Sequence, residues 1–177
     1  MVLLSKSVDL KNKSLADVGS GAGFPGLVLK IIEPTLNVVL IEPTTKRCNF
    51  LNFLISKLGL KNITVVNDRA ENCIKEFRET FDYATARAVS NLQILLELLA
   101  PFVKVDGYVV PMKGSGVIEE LNLSQNATKI LNLSLLKNDT YELPKDKGTR
   151  NIIVFKKTKK THEQYPRLYS KIKKQPL

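Results

Sequence analysis

The stretch SLADVGSGAGFPGL, residues 14–27, decides the fold of this 177-residue chain. An apolar run reaches Asp17, and five of the nine residues that follow it are glycine or proline. The run predicts a buried strand, and FPGLVLKIIEP predicts a helix that ends near Pro34. Glycines at such a turn permit positive φ and let a ligand lie against the backbone, while the helix beyond offers free N–H groups. The turn therefore predicts a ligand site.

Strand-like and helix-like segments alternate along most of the chain. The later strand-like segments are NVVLIE, NITVVN, FDYATARAV and GYVVPMKG, and the helix-like segments between them are TTKRCNFLNFLISKLG, AENCIKEFRE and NLQILLELLAPFV. This alternation implies right-handed crossovers and a parallel sheet covered on both faces. The last two runs, LNLSLLKNDTYEL and RNIIVFKK, have only a loop between them and should pair antiparallel. We predict one α/β domain over residues 1–177.

The composition bounds the cellular setting. Hydrophobic residues make up 44% of the chain, no apolar run is long enough to span a bilayer, and no signal peptide is evident, which favours a cytoplasmic protein without a membrane partner. Cys48 and Cys73 lie in helix-like patterns, which favours packing over a disulfide. His162 is the single histidine and belongs to no ligand cluster, so we predict no metal site.

The net charge of +10 is concentrated near the C-terminus. Residues 150–177 hold nine basic residues and one acid, whereas the first 149 residues hold 18 basic and 16 acidic residues. A basic tail on a nearly neutral body is typical of a protein that binds a polyanion. Nucleic acid is favoured over a membrane surface because the tail lacks a clean amphipathic helix.

The basic C-terminal tail, residues 158–177, holds the candidate nucleic-acid contacts. We expect its cations to bind phosphates and Tyr165 or Tyr169 to stack on a base. Pro166 and Pro176 argue against a long helix, and a flexible solvated tail is the alternative. The expected phosphate contacts are Arg167, Lys171, Lys173 and Lys174.

Two registers can be read in the glycine turn. Residues 21–26 match GxGxxG, the dinucleotide fingerprint, and residues 19–23 match GxGxG directly after Asp17. In either register Glu42 ends the second strand, where it can accept hydrogen bonds from ribose hydroxyls. The strand pattern stops at Val18, so the GxGxG register is favoured.

In that register, DVGSGAG resembles motif I of S-adenosylmethionine-dependent methyltransferases. A closer resemblance runs from about Leu15 to Leu177. LADVGSGAGFPGLVLKI, LIEPTTKRCNFL, NDRAEN, FDYATARAV, PMKG and YPRLYSKIKKQPL occur in the same order in the bacterial 16S rRNA guanine-N7 methyltransferase family, also called glucose-inhibited division protein B. The resemblance implies a Rossmann-like methyltransferase fold with a mostly parallel twisted sheet and an antiparallel C-terminal strand. It also implies S-adenosylmethionine as cofactor and 16S rRNA of the small ribosomal subunit as partner.

The resemblance also assigns cofactor contacts. Gly19 should approach the cofactor with its backbone, Phe24 should form a wall, and Glu42 should hold the ribose. Ala70 and Glu71 of RAEN should border the adenine, the latter with its backbone more than its carboxylate. The cofactor-binding set is Asp17, Gly19, Gly21, Gly23, Phe24, Glu42, Ala70, Glu71 and Arg87.

Several of these residues have a structural alternative. Arg87 ends the fourth strand at the catalytic face, but it could pair with Asp82 or Glu71 instead. Asp17 could cap the glycine turn rather than touch the ligand. Glu42 could be a surface acid, and Lys113 of PMKG could be either an RNA contact or a solvated lysine.

The chemistry of the acceptor needs no general base. Guanine N7 carries a lone pair and no proton at neutral pH, so it can attack the sulfonium methyl directly. The sequence shows no DPPY-like or NPPY-like run after the fourth strand and no nucleophile set. We expect catalysis by positioning, with Arg87 as the positioning residue.

The N-terminus departs from the family pattern. Only 16 residues precede Asp17, whereas the resemblance implies several dozen more, so residues 1–14 are interpreted as the remnant of an N-terminal segment. Two other functions therefore stay open beside a monomeric rRNA methyltransferase. One is an RNA-binding module with this fold and no turnover. The other is a nicotinamide-dependent oxidoreductase that uses the GxGxxG register.

Overall fold

The computed structural model describes residues 2–144 and 148–177. Its centre is a seven-stranded sheet in the order β3-β2-β1-β4-β5-β7-β6. The strands are β1 (Ser14–Val18), β2 (Asn37–Ile41), β3 (Ile63–Val66), β4 (Phe81–Arg87), β5 (Val103–Lys113), β6 (Leu133–Glu142) and β7 (Thr149–Lys157).

Helices connect the parallel strands, as the alternating pattern predicts. They are α2 (Gly26–Ile32), α3 (Thr45–Lys57), α4 (Ala70–Phe77) and α5 (Leu92–Leu99). In addition, α1 (Val2–Ser7) precedes β1, α6 (Val117–Leu123) and α7 (Gln125–Ile130) lie between β5 and β6, and α8 (Tyr169–Lys174) follows β7. A short 3-10 turn, Ala100–Phe102, joins α5 to β5. Along residues 2–144 and 148–177, no helix is long and apolar enough to cross a membrane.

The strand order places a ligand crevice beside the glycine turn. β1 pairs in parallel with both β2 and β4, and the chain runs outward from β1 first to one side and then to the other. Such a reversal opens a crevice beyond the carboxyl ends of the strands. β7 pairs antiparallel with β5 and with β6, so the predicted α/β fold with an antiparallel C-terminal hairpin is confirmed.

Two apolar layers hold the sheet. On one face, α5 is buried almost all round and packs with Phe102 and Phe155. On the other face, Leu29 of α2 and Leu51 of α3 are fully buried. Burying a leucine or phenylalanine side chain contributes about 1.5–3 kcal/mol each, so these layers fix the strand ends that carry the site.

Two parts of the fold differ from the sequence-based prediction, and the packing of the tail excludes one of its alternatives. α6 and α7 lie in a stretch for which no helix was predicted, and β5 begins at Val103 rather than near Gly107. The tail is not a solvated arm: Tyr165 is 7% exposed and Ile172 is fully buried. α1 lies within residues 1–14, the segment interpreted as an N-terminal remnant.

Candidate functional site

The β1–α2 turn folds as the glycine spacing requires. The amides of Gly19 and Ser20 both donate to the carbonyl of Ile41, at 2.8 and 3.2 Å, which ties the turn to the end of β2. Gly19, Gly21 and Gly23 have φ values of +71°, +59° and +92°. A Cβ at Gly19 would also lie 2.7 Å from Cγ2 of Val89. Both the positive φ and the contact with Val89 therefore exclude a side chain at position 19.

Asp17 is fully buried beneath the turn. Its Oδ2 accepts a hydrogen bond of 2.8 Å from the amide of Gly26, the first residue of α2, and its Oδ1 has no hydrogen-bond partner among the described residues. Burial raises the pKa of Asp17 from 3.8 to about 7, because the single amide bond from Gly26 offsets only part of the lost hydration. The geometry gives Asp17 the capping role rather than an exposed ligand contact.

We expect Asp17 to make stability depend on pH. Because its pKa is higher in the folded chain, the folded chain holds a proton that the unfolded chain releases as the pH rises from 3.8 to about 7. The free energy of unfolding should fall across that window by on the order of 4 kcal/mol, and Asp17→Asn should flatten the fall. Denaturant titrations at about pH 4 and about pH 7 test this. An Asp106→Asn control should keep the slope, and an unchanged slope in Asp17→Asn contradicts the assignment.

Glu42 closes the other side of the turn. It is 1% exposed, and its two carboxylate oxygens accept separate hydrogen bonds of 2.9 Å, Oε2 from the amide of Gly21 and Oε1 from the amide of Thr44. Burial raises the pKa of Glu42, but these bonds and the Arg47 guanidinium 3.6 Å away outweigh it and hold the pKa below the ordinary value. Each oxygen keeps a further lone pair for a ligand hydroxyl.

A cleft of about 470 Å³ opens above the turn. Bare backbone at Gly19 and Gly21 forms one wall and Glu42 lies at another. A second hollow of about 220 Å³ adjoins it, sharing Gly19, Pro43 and Val89. The other residues around the second hollow include Ala70, Glu71, Leu98 and Tyr169. Eight of the nine residues expected at the cofactor thus lie around one crevice or in its turn, and Asp17 lies beneath.

Arg87 stands at the end of β4 between the glycine turn and a further pocket. Its guanidinium carbon lies 5.2 Å from the centre of the Phe24 ring, a cation–π distance. Neither Asp82 nor Glu71 pairs with it: Asp82 binds Lys104 at 2.6 Å, and no ion pair to Arg87 exists among the described residues. The structural alternative considered for Arg87 is therefore wrong, and its charge faces solvent.

Two expected RNA contacts have partners inside the chain. Lys113 donates to the carbonyl of Ser90 at 2.8 Å and pairs with Glu120 at 2.7 Å. Arg167 donates from Nε and Nη2 to both oxygens of Glu97, which is fully buried. These bonds engage both charges within the fold, and contact of Lys113 and Arg167 with RNA stays a prediction.

The other three expected cations of the tail remain available. Lys171, Lys173 and Lys174 are exposed on α8, whereas Ile172 between them is buried. The Arg167–Glu97 pair and the bond from Gln93 to the carbonyl of Leu177, at 2.8 Å, hold α8 against α5. The structure thus presents a fixed basic edge.

The sequence interpretation did not assign three residues to the crevice that the structure places there. Val89 packs on Gly19, Arg47 flanks Glu42, and Tyr169 reaches the adjoining hollow from the tail. Arg47 carried a signal, since a cation in the first turn of a helix does not suit the helix dipole. No local pattern marks Val89 or Tyr169, because tertiary folding brings each to the crevice.

Comparison with known proteins decides the family. A family model described as rRNA small subunit methyltransferase G matches residues 1–153. The chain belongs to this family. The ribosomal RNA small subunit methyltransferase G of Carboxydothermus hydrogenoformans is 43% identical over 171 residues, covering 96% of this chain and 73% of the relative. That of Lachnoclostridium phytofermentans is 44% identical over 177 residues, covering 98% and 73%. The predicted family and enzyme class are confirmed.

Solved methyltransferase structures share the fold of this family member. A 16S rRNA adenine-N1 methyltransferase from Catenulisporales acidiphilia superposes with a TM-score of 0.71 at 14% identity, covering 94% of this chain and 92% of the other. The same enzyme with its cosubstrate S-adenosylmethionine gives 0.67 at 14% identity, covering 91% and 92%. At such identity the likeness shows the fold alone.

The crevice also fits S-adenosylmethionine on its own chemistry. Side-chain-free backbone at Gly19 and Gly21 admits close approach, and the Glu42 carboxylate suits ribose hydroxyls. The adjoining hollow is walled by apolar groups, including Val18, Ile41 and Leu98, as a purine ring requires.

Proposed function

We propose that the chain transfers a methyl group from S-adenosylmethionine to N7 of a guanine in 16S rRNA. The observation that carries this is the crevice above the glycine turn, in a chain that belongs to a small-subunit rRNA methyltransferase family. We also propose that the chain acts as a monomer. An rRNA substrate in bacterial relatives supports a cytoplasmic protein without a membrane partner.

The two hollows would bind different parts of the cofactor. Glu42 would accept the ribose hydroxyls, and Gly19 would let the cofactor lie against the backbone. Ala70 and the backbone of Glu71 would border the adenine, with Tyr169 as a further wall. When bound, S-adenosylmethionine supplies an electrophilic sulfonium methyl group.

The protein's catalytic task is positioning. Guanine N7 attacks with its own lone pair, so no residue has to remove a proton first. Holding N7 roughly 3 Å from the methyl carbon and in line with the leaving sulfur is the main contribution. Arg87 lies where it would orient the acceptor, and Phe24 fixes its guanidinium.

The fixed basic edge of α8 should bind RNA phosphates. We expect the triple reversal of Lys171, Lys173 and Lys174 to glutamate to weaken rRNA binding at least tenfold. It should also flatten the dependence of the affinity on salt, because binding with fewer phosphate contacts releases fewer counterions from the RNA. Fluorescence anisotropy across a salt series measures both. Reversal of three exposed lysines elsewhere in the chain, Lys57, Lys61 and Lys75, is the matched control. An unchanged salt slope in the α8 variant contradicts the proposal.

A pair of calorimetric titrations tests the cofactor assignment. S-adenosylmethionine should bind with one-to-one stoichiometry, and Gly19→Val should abolish binding because its side chain collides with Val89. NADH should not bind. Binding of NADH in place of S-adenosylmethionine would overturn the proposal in favour of the GxGxxG reading.

A further inference from the structure

A separate pocket of about 600 Å³ lies beside the cofactor crevice. It is formed where β4 and β5 end and where the β6–β7 hairpin begins to turn, so the sheet brings four strands to one rim. Arg87 and Ala88 line both this pocket and the cofactor cleft. The two spaces therefore meet at the end of β4.

The lining of this pocket has an apolar part and a cationic rim. Met112, Leu143 and Ile152 supply aliphatic surface, and Tyr141 adds an aromatic ring whose hydroxyl hydrogen-bonds Oγ of Ser7 at 3.2 Å. Arg87 and Arg150 stand exposed at the rim. An apolar floor with cations at its edge suits a flat base attached to phosphates.

The other polar groups of the pocket are already engaged. The Lys113 amine is held by Glu120 and Ser90. The Asn151 amide donates to the carbonyl of Gly114 at 2.7 Å, and its oxygen accepts from Asn138 and Thr140. Among the described residues, the side chain of Arg150 makes one hydrogen bond, from Nη1 to the carbonyl of Thr149 at 2.8 Å, and no ion pair. The N–H groups that remain available to a ligand in this pocket are therefore on the side chains of Arg87 and Arg150.

We propose that this pocket holds the acceptor guanine nucleotide, unstacked from the RNA. The base would lie on the floor formed by Met112, Tyr141 and Ile152, with N7 directed past Ala88 to the methyl group. Arg150 would bind a flanking phosphate. The inference rests on the proposed function and adds a substrate site for it.

Gly114 allows the pocket to be filled without disturbing the fold. A Cβ built there meets no heavy atom within 4 Å, and its φ lies outside the left-handed region. Gly114 lines this pocket and not the cofactor cleft. We expect Gly114→Phe to lower kcat/KM for 16S rRNA at least tenfold with S-adenosylmethionine affinity unchanged, and Gly114→Ala to stay near wild type.

A charge substitution provides an independent test. Arg150→Gln should raise KM for rRNA about tenfold, as expected for one charge-assisted phosphate contact. Lys75→Gln removes the same charge from an exposed position of α4 and should change KM less than twofold. Wild-type KM in both Gly114→Phe and Arg150→Gln, with folding intact, would overturn the proposal while the methyltransferase function stood.

A crosslinking measurement keeps the inference separate from turnover. RNA that carries 6-thioguanine at the acceptor position should crosslink on irradiation to the peptides that contain Met112 or Tyr141, and Gly114→Phe should suppress the crosslink. Crosslinking only to peptides outside this pocket would contradict the site. A wild-type chain that crosslinks here but transfers no methyl would contradict the proposed function and leave the base site supported.

Discussion

Arg87→Ala should lower kcat/KM for 16S rRNA methylation by about 100-fold while leaving the fold intact. The residue ends β4, is exposed, and borders both the cofactor cleft and the neighbouring pocket. Its one aromatic contact, with Phe24 at 5.2 Å, is worth about 1 kcal/mol at most for an exposed cation. The free energy of unfolding should therefore change by less than about 1 kcal/mol. The loss of activity should come from slower methyl transfer rather than from unfolding.

A matched series separates positioning from general charge. Arg87→Lys keeps the charge but loses the planar fork, so it should recover only part of the rate. Lys129→Ala removes an exposed cation from α7, away from the crevice, and should retain most of the rate. Labelled methyl transfer measures the rates and thermal melting measures the folds. Wild-type rate and cofactor affinity in Arg87→Ala would show that the role assigned to Arg87 is wrong.

Glu42→Ala should abolish detectable S-adenosylmethionine binding and destabilise the chain. Removing the carboxylate leaves the amides of Gly21 and Thr44 without their acceptor, and it removes the proposed ribose contact. Two lost hydrogen bonds to a buried charged group correspond to about 3–6 kcal/mol, reduced where water can enter the cleft. Chemical denaturation and calorimetric titration measure the two effects.

The variant Glu42→Gln sharpens this second prediction. Its amide keeps the shape but replaces one acceptor oxygen by a donor, which would face a backbone N–H. It should thus recover little cofactor affinity. Glu76→Ala, at an exposed position of α4, should match wild type in both measurements. Full cofactor affinity in Glu42→Ala would refute the assigned contact.

The alternating pattern was sufficient to predict the parallel part of the sheet. Each predicted strand ends at a turn residue and each crossover contains a helix, so local sequence and long-range pairing agree. β5 was placed too late because Asp106 and Gly107 read as a turn. In the structure Asp106 takes a φ of +67°, and the register with β4 shifts between Phe81 and Tyr83, which lets the strand continue through them.

The missed helices have a similar local cause. α6 and α7 have seven and six residues, too few for a helical period to stand out. Ser124 lies between the two helices, and its Oγ donates to the carbonyl of Glu120 at 2.6 Å. A serine whose side chain bonds the backbone in this way is typical of a helix end, so it interrupts the helical spacing of apolar residues in the sequence.

The site divides into parts that sequence can and cannot predict. Glu42 was placed correctly at the crevice because the end of the second strand of a doubly wound sheet always faces it. The partner of Arg167 is 70 residues away along the chain, so no local pattern indicated that Glu97 would take its charge. Tyr169 reaches the crevice because that pair and the bond from Gln93 to Leu177 fold the tail back.

The most direct test of the account incubates the chain with methyl-labelled S-adenosylmethionine and 16S rRNA, digests the RNA and identifies the labelled nucleoside by mass spectrometry. The account predicts label in 7-methylguanosine, at one guanine, with none from the Gly19→Val variant. Label in a different nucleoside would contradict the acceptor chemistry, and no transfer by a folded chain that binds the cofactor would contradict the proposed activity.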